Sequence, residues 1–239
     1  MAQVARLAGV RLPAPKSKVL RVGKIKRPGL VIEKLLIERS GEVPLPALKF
    51  VPERSEGGRL PAVIWLDDRG KQKLAGPEGE YEKLALQGKI VLAVDLRGIG
   101  ETAPLRPKRY WHNEYPIAYL ALHIARPLLG QRVEDAIASL GALLEDPRVD
   151  RGQISLVGRG SLGPVALHAA ALEKRFKTVT LLESIESYFE VVATPLSRGQ
   201  LSNVVPKALE YYDLPDLIRA ISPRLVFVKK PVDPTGKPK

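Results

Sequence analysis

A glycine-rich turn, GRGSLG at residues 158–163, has the spacing of a ligand-binding or catalytic motif. It follows the apolar segment 153–157 and precedes a helical segment that begins at Pro164. Between a strand and a helix, G-x-G-x-x-G is typical of a dinucleotide-binding turn, in which the backbone approaches a pyrophosphate at the helix N-terminus. Glu183 closes the next predicted strand about twenty residues on, where a ribose-binding carboxylate belongs. One interpretation is therefore a dinucleotide-binding domain.

A second interpretation makes the same turn a nucleophile elbow. Such an elbow exposes a hydroxyl between a strand and a helix, and the backbone N–H groups that follow it form part of an oxyanion hole. Ser161 is the only hydroxyl in the turn. The G-x-S-x-G spacing is imperfect, because position 159 is Arg and position 160, where the alternative centring needs Ser, is Gly. The elbow is degraded or shifted by one residue.

The supply of bases and nucleophiles is limited. The chain has no cysteine, which excludes thiolate nucleophiles, disulfides and thiolate metal sites, and it has three histidines. His168 lies in the helix after Ser161, about 10 Å along its axis, so we expect it to be structural. His112 and His123 fall in an irregular segment, and His112, beside Trp111, is the preferred substitute base.

The composition and charge of the chain limit the classes of partner that it can bind. The 239 residues carry a net charge of +12, but the basic excess lies at residues 16–27 and 229–239 without interleaved aromatics, so we predict no nucleic-acid partner. No apolar run reaches the ~18 residues of a membrane span.

Asp67 and Asp68 lack a nearby histidine and make a poor metal pair, and we predict no metal and no cofactor. No signal-peptide pattern is present, which suggests a cytoplasmic protein or a fragment of an exported one.

The sequence pattern around the turn predicts antiparallel strands at the N-terminal end, followed by alternating strands and helices. We predict an N-terminal arm at residues 1–18 and a single domain at 19–239 with a lid-like, proline-rich insertion at about 101–131. The strands are expected near residues 19–27, 30–39, 45–52, 61–67, 89–95, 153–158, 178–183 and 224–229. The helices are expected near 78–87, 117–125, 132–145, 164–173 and 208–220, the last of them broken or restarted at Pro215.

Five segments together resemble a known family. They are GLVIEKLLIERSGEVPLPALKFVPE, LPAVIWLDDRGK, GKIVLAVDLRGIGET, RPLLGQRVEDAIASLGALLEDPRVDRGQISLVGRG and ALEYYDLPDLIRAISPRLVFVKKPVDPTG. In their order and spacing the chain resembles the α/β-hydrolase esterases of the acetyl xylan esterase and dienelactone hydrolase type, including their glucuronoyl esterase relatives. The resemblance covers roughly four fifths of the chain.

This resemblance implies a serine carboxylic ester hydrolase acting on small acyl or carbohydrate esters, with the triad in the chain order serine, acid, histidine. Strict alignment puts the family's serine at Gly160, so Ser161 is the substitute nucleophile. The acid falls on Asp233 or on Glu183. The histidine that follows the acid in the family has no counterpart here, which leaves His112 as the base.

The resemblance also implies the groups around the nucleophile. Backbone amides near Leu162 and in the loop Asp68-Arg69-Gly70-Lys71 would hold the oxyanion. Arg159 and Arg97 could bind an acidic substrate, or Arg97 could clamp a neighbouring carboxylate while Asp95 accepts backbone N–H groups.

The implied fold is α/β-hydrolase-like, with a mostly parallel central sheet, antiparallel N-terminal strands and no last strand. An unpaired edge there would favour a homodimer that completes the sheet. The alternative function, from a different class, is a catalytically inactive or truncated α/β-hydrolase-fold module for binding or interaction.

Overall fold

A computed structural model describes residues 1–13, 16–53, 58–104 and 114–239 of the chain. The strands are β1 Lys18–Arg27, β2 Leu30–Glu38, β3 Leu45–Pro52, β4 Leu60–Asp67, β5 Ile90–Val94, β6 Val149–Arg159, β7 Thr178–Leu182 and β8 Leu225–Lys229. The α-helices are α1 Ala2–Ala8, α2 Glu80–Leu86, α3 Tyr115–His123, α4 Leu128–Leu144, α5 Gly163–Leu172, α6 Tyr188–Ala193 and α7 Leu214–Ile221.

All eight strands form one mixed sheet in the order β1-β2-β3-β5-β4-β6-β7-β8. The pairs from β1 to β3 and the pair β3–β5 are antiparallel. The pairs that link β5, β4, β6, β7 and β8 are parallel. The predicted α/β class, mostly parallel with antiparallel N-terminal strands, is confirmed.

Two apolar layers cover the two faces of the central strands. Because successive side chains of a strand point to opposite faces, Ile64 and Leu66 of β4 join one cluster, with α4, α5 and α7. Val63 and Trp65 of the same strand join the other cluster, with Tyr81 of α2. Burial on both faces explains why these strands are apolar without alternation.

Several predicted elements shift in detail. The helix predicted at 132–145 begins earlier, at Leu128. The helical segment predicted at 208–220 is broken and restarts next to Pro215, as expected: Ala208–Glu210 is a 3-10 turn, and α7 starts at Leu214. Asp213 caps α7 by accepting a hydrogen bond from the Leu214 amide at 2.6 Å, and this cap fixes the restart.

The ends of the sheet are β1 and β8. Within the residues described, no strand pairs with the outer side of β8, as the resemblance implied. The homodimer that would use this edge stays a prediction. The stretch predicted as an N-terminal arm contains helix α1, whose Val4 and Ala8 are buried in the core on the α4 side. None of the helices in the described ranges has the length and apolar character needed to cross a membrane.

Candidate functional site

Three parallel strands bring the candidate residues to one edge of the sheet. Asp67 at the end of β4 is in register with Arg159 at the end of β6, and Arg159 is in register with Leu182 at the end of β7. Asp68 and Glu183 each follow directly on one of these ends. The carboxyl ends of parallel strands are where ligands bind in open α/β sheets.

Arg159 joins the two flanking carboxylates. Its guanidinium lies 3.4 Å from Asp68 Oδ1 and donates a short hydrogen bond to Glu183. The Arg159 side chain is 15% exposed, so this ion pair is only partly screened by solvent. The guanidinium bridges the ends of β4 and β7.

Gly160 faces the Asp68 carboxylate at very short range. A Cβ added to Gly160 would lie 1.9 Å from Asp68 Oδ2, and the residue has a left-handed backbone with φ of +58°. No side chain fits there while Asp68 keeps its place. At the position that alignment assigns to the nucleophile, the structure therefore holds a glycine, which is packed against the carboxylate of the residue that follows β4.

Asp68 also accepts a hydrogen bond from the backbone N–H of Ser161, at 2.9 Å. Burial raises the pKa of the Asp68 carboxyl, which outweighs the lowering by this hydrogen bond; the charge of Asp67 raises it further. In an elbow, the amide after the nucleophile is an oxyanion-hole donor. That donor is engaged here by an internal acceptor.

The dinucleotide interpretation meets the same obstacle. A pyrophosphate would need the amides at the start of α5, and the Ser161 amide already binds a carboxylate. The glycine at position 163 is explained by packing and needs no pyrophosphate, because a Cβ there would lie 2.0 Å from Ser184 Oγ. Dinucleotide binding is left as a prediction without support from this geometry.

Ser161 lines a cavity of about 260 Å³, which we call the elbow cavity. Its hydroxyl makes no hydrogen bond within the described part of the chain. Pro164 stands in the first turn of α5, as predicted. The other residues that line the elbow cavity are Asp68, Arg159, Gly160, Glu183, Ile185, Arg198, Gly199, Gln200, Asn203, Val232 and Gly236.

Neither of the two described histidines is placed to act as a base for the Ser161 hydroxyl. His168 is fully buried, with Nδ1 2.7 Å from the Pro164 carbonyl and Nε2 2.9 Å from the Tyr212 hydroxyl. Burial lowers the pKa of His168 to about 4, which agrees with its predicted structural role. His123 is exposed at the end of α3 and packs its ring edge against Tyr119. His112, the preferred base, lies outside the described residues.

Three of the amides predicted to hold the oxyanion, those of residues 69–71, donate to other acceptors. The Arg69 amide donates to the Asp67 carboxylate at 2.9 Å, and the Gly70 amide donates to the Asp67 carbonyl at 2.9 Å. The Lys71 amide donates to Asp95 at 2.7 Å, so Asp95 accepts backbone N–H groups as expected. Of the loop, only Asp68 lines the elbow cavity.

Leu162 and Asp233 take structural positions as well. Leu162 is fully buried in the core. Asp233 accepts hydrogen bonds from the Thr235 amide at 2.9 Å, the Thr235 hydroxyl at 2.7 Å and the Lys237 amide at 2.9 Å. These hydrogen bonds lower the pKa of Asp233. Among the described residues, Asp233 orients no histidine, and neither does Glu183, which pairs with Arg159.

Arg97 is not brought to the elbow. It is 6% exposed and binds Asp135 through two nitrogens, at 2.9 and 2.6 Å, with Glu42 at 2.9 Å and Gln131 at 2.6 Å. This is the carboxylate clamp that was one of its two predicted roles. The structure gives no support to the other role, binding of an acidic substrate.

Sequence reasoning missed part of the cavity wall. Arg198, Gln200 and Asn203 lie in the segment after α6, which has no periodic pattern and no motif. The Arg198 amide donates to the Pro234 carbonyl at 2.9 Å, which ties this segment to the C-terminal turn. No cluster of three or more histidine, aspartate and glutamate side chains fit to hold a metal occurs in the described ranges.

Comparisons with solved structures give the same architecture. A Bacteroides fragilis protein named as a candidate acetyl xylan esterase aligns with a TM-score of 0.79 at 14% identity, over 95% of this chain and 65% of its own. Acetyl xylan esterase 1 of a Thermoanaerobacterium species aligns with a TM-score of 0.67 at 16% identity, over 99% of this chain and 80% of its own. A glucuronoyl esterase of Solibacter usitatus aligns with a TM-score of 0.64 at 16% identity, over 95% and 72%.

The chain thus spans about two thirds of the length of the first of these proteins. No family model and no curated protein matches its sequence. At these identities the likeness establishes the fold. The resemblance to α/β-hydrolase esterases that the sequence predicted is confirmed at that level.

Proposed function

We propose that this chain is an α/β-hydrolase-fold module that binds a carbohydrate ester in the elbow cavity without serine chemistry of its own. One observation carries the proposal: the Asp68 carboxylate accepts the Ser161 N–H and occupies the space where a side chain at Gly160 would lie. In an elbow centred on position 160, that amide must be free to bind the oxyanion of the tetrahedral intermediate.

The supporting geometry concerns the base and the second donor. Ser161 has no imidazole within hydrogen-bond reach among the described residues, because His168 is committed to Pro164 and Tyr212. The amides of Arg69 and Gly70 donate to Asp67, and the amide of Lys71 donates to Asp95. A nucleophile without a base or an oxyanion hole retains little advantage over water.

The cavity itself suits a hydroxyl-rich ligand. Its wall combines donors on Arg159, Arg198 and Gln200 with acceptors on Glu183 and Asn203. Convergent polar groups of both kinds match the alternating donors and acceptors of a sugar. The names of the similar structures, acetyl xylan esterase and glucuronoyl esterase, point to a carbohydrate ester as the class to test first.

The test pairs binding with hydrolysis. Acetylated xylotriose is titrated into the wild type by calorimetry, and acetate release is followed on the same samples. We expect saturable binding without acetate release, and an affinity about fivefold or more lower in Arg198→Ala. The matched control is Arg151→Ala, which removes an exposed arginine at the other end of β6 and should leave the affinity unchanged. No binding at millimolar ligand would remove the proposal.

A second candidate is the serine esterase itself. It is favoured by the Ser161 hydroxyl, which lines the elbow cavity and has no other partner in the described ranges, and by the names of the similar structures. There Ser161 attacks the acyl carbon while His112 takes its proton, and the alcohol leaves with that proton as the acyl-serine forms. A water molecule then attacks the acyl carbon, releases the acid and returns the proton to Ser161, while Asp233 or Glu183 orients the imidazole. Acetate release that is abolished in Ser161→Ala selects this candidate over the first.

A further inference from the structure

A groove of about 590 Å³ lies on the face of the sheet that α2 covers in part. We call it the sheet groove. Its floor is formed by side chains of β4, β6 and β7 that share this face, which are Trp65, Ser155, Val157, Thr178, Thr180 and Leu182. Glu80 and Leu84 line it from α2. The volume lies within the range of small-molecule sites, about 300 to 1,000 Å³.

The groove exists because the helical cover of this face is incomplete. Among the described residues, α2 packs on β2, β3 and β5. Thr178 and Thr180 of β7 are in register with Leu225 and Phe227 of β8, which are 58% and 45% exposed. Side chains in register on neighbouring strands point to the same face, so the open surface extends from the groove to the β8 edge of the sheet.

The two faces of β7 differ in their chemistry. Val179 and Leu181 point into the apolar core on the α5 side and are buried. Thr178 and Thr180 alternate with them and line the groove. A parallel strand that packs under helices on both faces is apolar throughout. The hydroxyl groups on the floor therefore favour a polar ligand over a packed helix.

Four polar side chains of the groove are accessible to solvent and have no hydrogen bond or ion pair within the described part of the chain. They are Glu80, Lys89, Thr180 and Lys229. The lysines donate, the glutamate accepts, and the threonine hydroxyl does both. Such groups around a partly apolar floor match the hydroxyl groups and the C–H faces of a sugar.

The sheet groove and the elbow cavity meet at one ion pair. Arg159 and Glu183 line both of them, and the Arg159 guanidinium donates to the Glu183 carboxylate. From Thr178 to Leu182 the floor spans about 13 Å at ~3.3 Å per residue, which is longer than one pyranose ring. The groove thus runs along the strands and ends at their carboxyl ends, where the elbow cavity begins.

We propose that the sheet groove is a second carbohydrate subsite, which holds the units of a glycan chain that extend beyond the elbow cavity. The inference rests on the proposed function, because it takes the ligand of the elbow cavity to be a glycan. The chain passes from one cavity to the other beside the Arg159–Glu183 pair. Phe227, exposed next to Thr180, presents an aromatic ring to the C–H face of a sugar.

The test compares two ligand lengths, acetylated xylotriose and acetylated xylohexaose, by calorimetry on the full chain. The discriminating variants are Phe227→Ala and the control Phe189→Ala, whose ring is 65% exposed on α6 and lines neither cavity. Because both rings are exposed, neither substitution disturbs the core.

We expect the wild type to bind the hexaose about tenfold or more tightly than the triose, and Phe227→Ala to bind the hexaose about fivefold more weakly. Phe189→Ala should match the wild type, and the triose affinity should be the same in all three proteins. The additional registers of a longer chain raise the affinity in every variant alike, so the loss in Phe227→Ala isolates the groove.

A second variant tests the polar contact. Thr180→Val removes the hydroxyl, and we expect about threefold weaker binding of the hexaose with unchanged binding of the triose. Equal hexaose affinity in the wild type and Phe227→Ala overturns the proposal and favours a protein helix as the occupant of this face.

The two ligand lengths separate the two sites. Triose binding without any gain for the hexaose removes the groove subsite and leaves the proposed function in place. Hexaose binding that depends on Phe227, without triose binding, supports the groove and removes the elbow cavity as the primary site. Absence of binding at either length overturns both.

Discussion

The Asp68 carboxylate lies against the turn that starts α5, accepting the Ser161 amide at 2.9 Å and leaving no room for a side chain on Gly160. The two contacts support each other. Glycine at position 160 admits the carboxylate, and the carboxylate accepts the Ser161 amide, which would otherwise lack a partner in the described residues. An internal acceptor thus holds the place that an oxyanion would need.

The first prediction concerns Gly160. We expect Gly160→Ala to lower the free energy of unfolding by about 2 to 5 kcal/mol, since it adds left-handed backbone strain and displaces Asp68. Urea unfolding measures this change. Gly41→Ala is the matched control, because Gly41 also has a positive φ, +71°, but nothing lies within 4 Å of its added Cβ. Gly41→Ala should cost about 1 to 2 kcal/mol.

The double variant Asp68→Ala/Gly160→Ala isolates the contact. If the clash with Asp68 is the larger part of the loss, the Gly160 substitution should cost no more in the Asp68→Ala background than Gly41→Ala costs in the wild type. Equal losses for Gly160→Ala and Gly41→Ala in the wild-type background would contradict the assignment.

The second prediction concerns His168 and pH. Its pKa is lowered by burial to about 4, below the value of 6.5 in an unfolded chain, so the folded state disfavours the proton. The stability that this provides is complete above pH 6.5 and is lost as the pH falls towards 4. Relative to His168→Gln, the wild type should lose about 3 kcal/mol between pH 7 and pH 4.

Urea unfolding of both proteins across this pH range measures the difference, in which the shared titration of carboxylates cancels. The same pH dependence in the wild type and in His168→Gln would show that His168 is not buried as a neutral imidazole.

The third prediction concerns the clamp around Arg97. Asp135 is fully buried and pairs with Arg97 at 2.6 Å and with the buried Arg39. Asp135→Asn leaves two buried guanidinium groups short of a counter-charge, so we expect a loss of about 3 to 5 kcal/mol in the free energy of unfolding. The control is Glu145→Gln. Glu145 is exposed at the end of α4, the helix that also carries Asp135, and its substitution should change the free energy of unfolding by less than about 0.5 kcal/mol. A small effect of Asp135→Asn would return Arg97 to the candidates for substrate binding.

Much of the fold was predictable because the strands differ plainly from their surroundings. The buried strands β4 and β5 are apolar runs bounded by charged residues. Such runs can be predicted as buried strands from the sequence alone, without knowledge of the helices that pack on them. Pro215 indicated where the helical pattern over 208–220 restarts, and the Asp213 carboxylate that caps α7 moves this start by one residue, to Leu214. The placement of α3 in the insertion also shifted, to Tyr115–His123.

The site was predictable only as a turn. The glycine pattern located residues 158–163 between a strand and a helix, and the structure agrees. The approach of Asp68 depends on strand register across 93 positions of sequence, which no local pattern records. Arg198 and Asn203 come from a segment without periodicity, so their place in the cavity wall follows from tertiary contacts alone.

The last prediction asks whether the vacated anion position still binds a carboxylate. Asp68→Ala removes the acceptor from the Ser161 amide and leaves Arg159 beside an open space. Free acetate carries the same functional group, so we expect acetate to raise the thermal midpoint of Asp68→Ala more than chloride does at equal ionic strength. The wild type and Asp150→Ala, whose carboxylate caps an exposed turn, should respond equally to the two salts. If acetate does not selectively stabilise Asp68→Ala, the Ser161 amide is not an anion site, and the interpretation of Asp68 as an internal occupant of an oxyanion position is wrong.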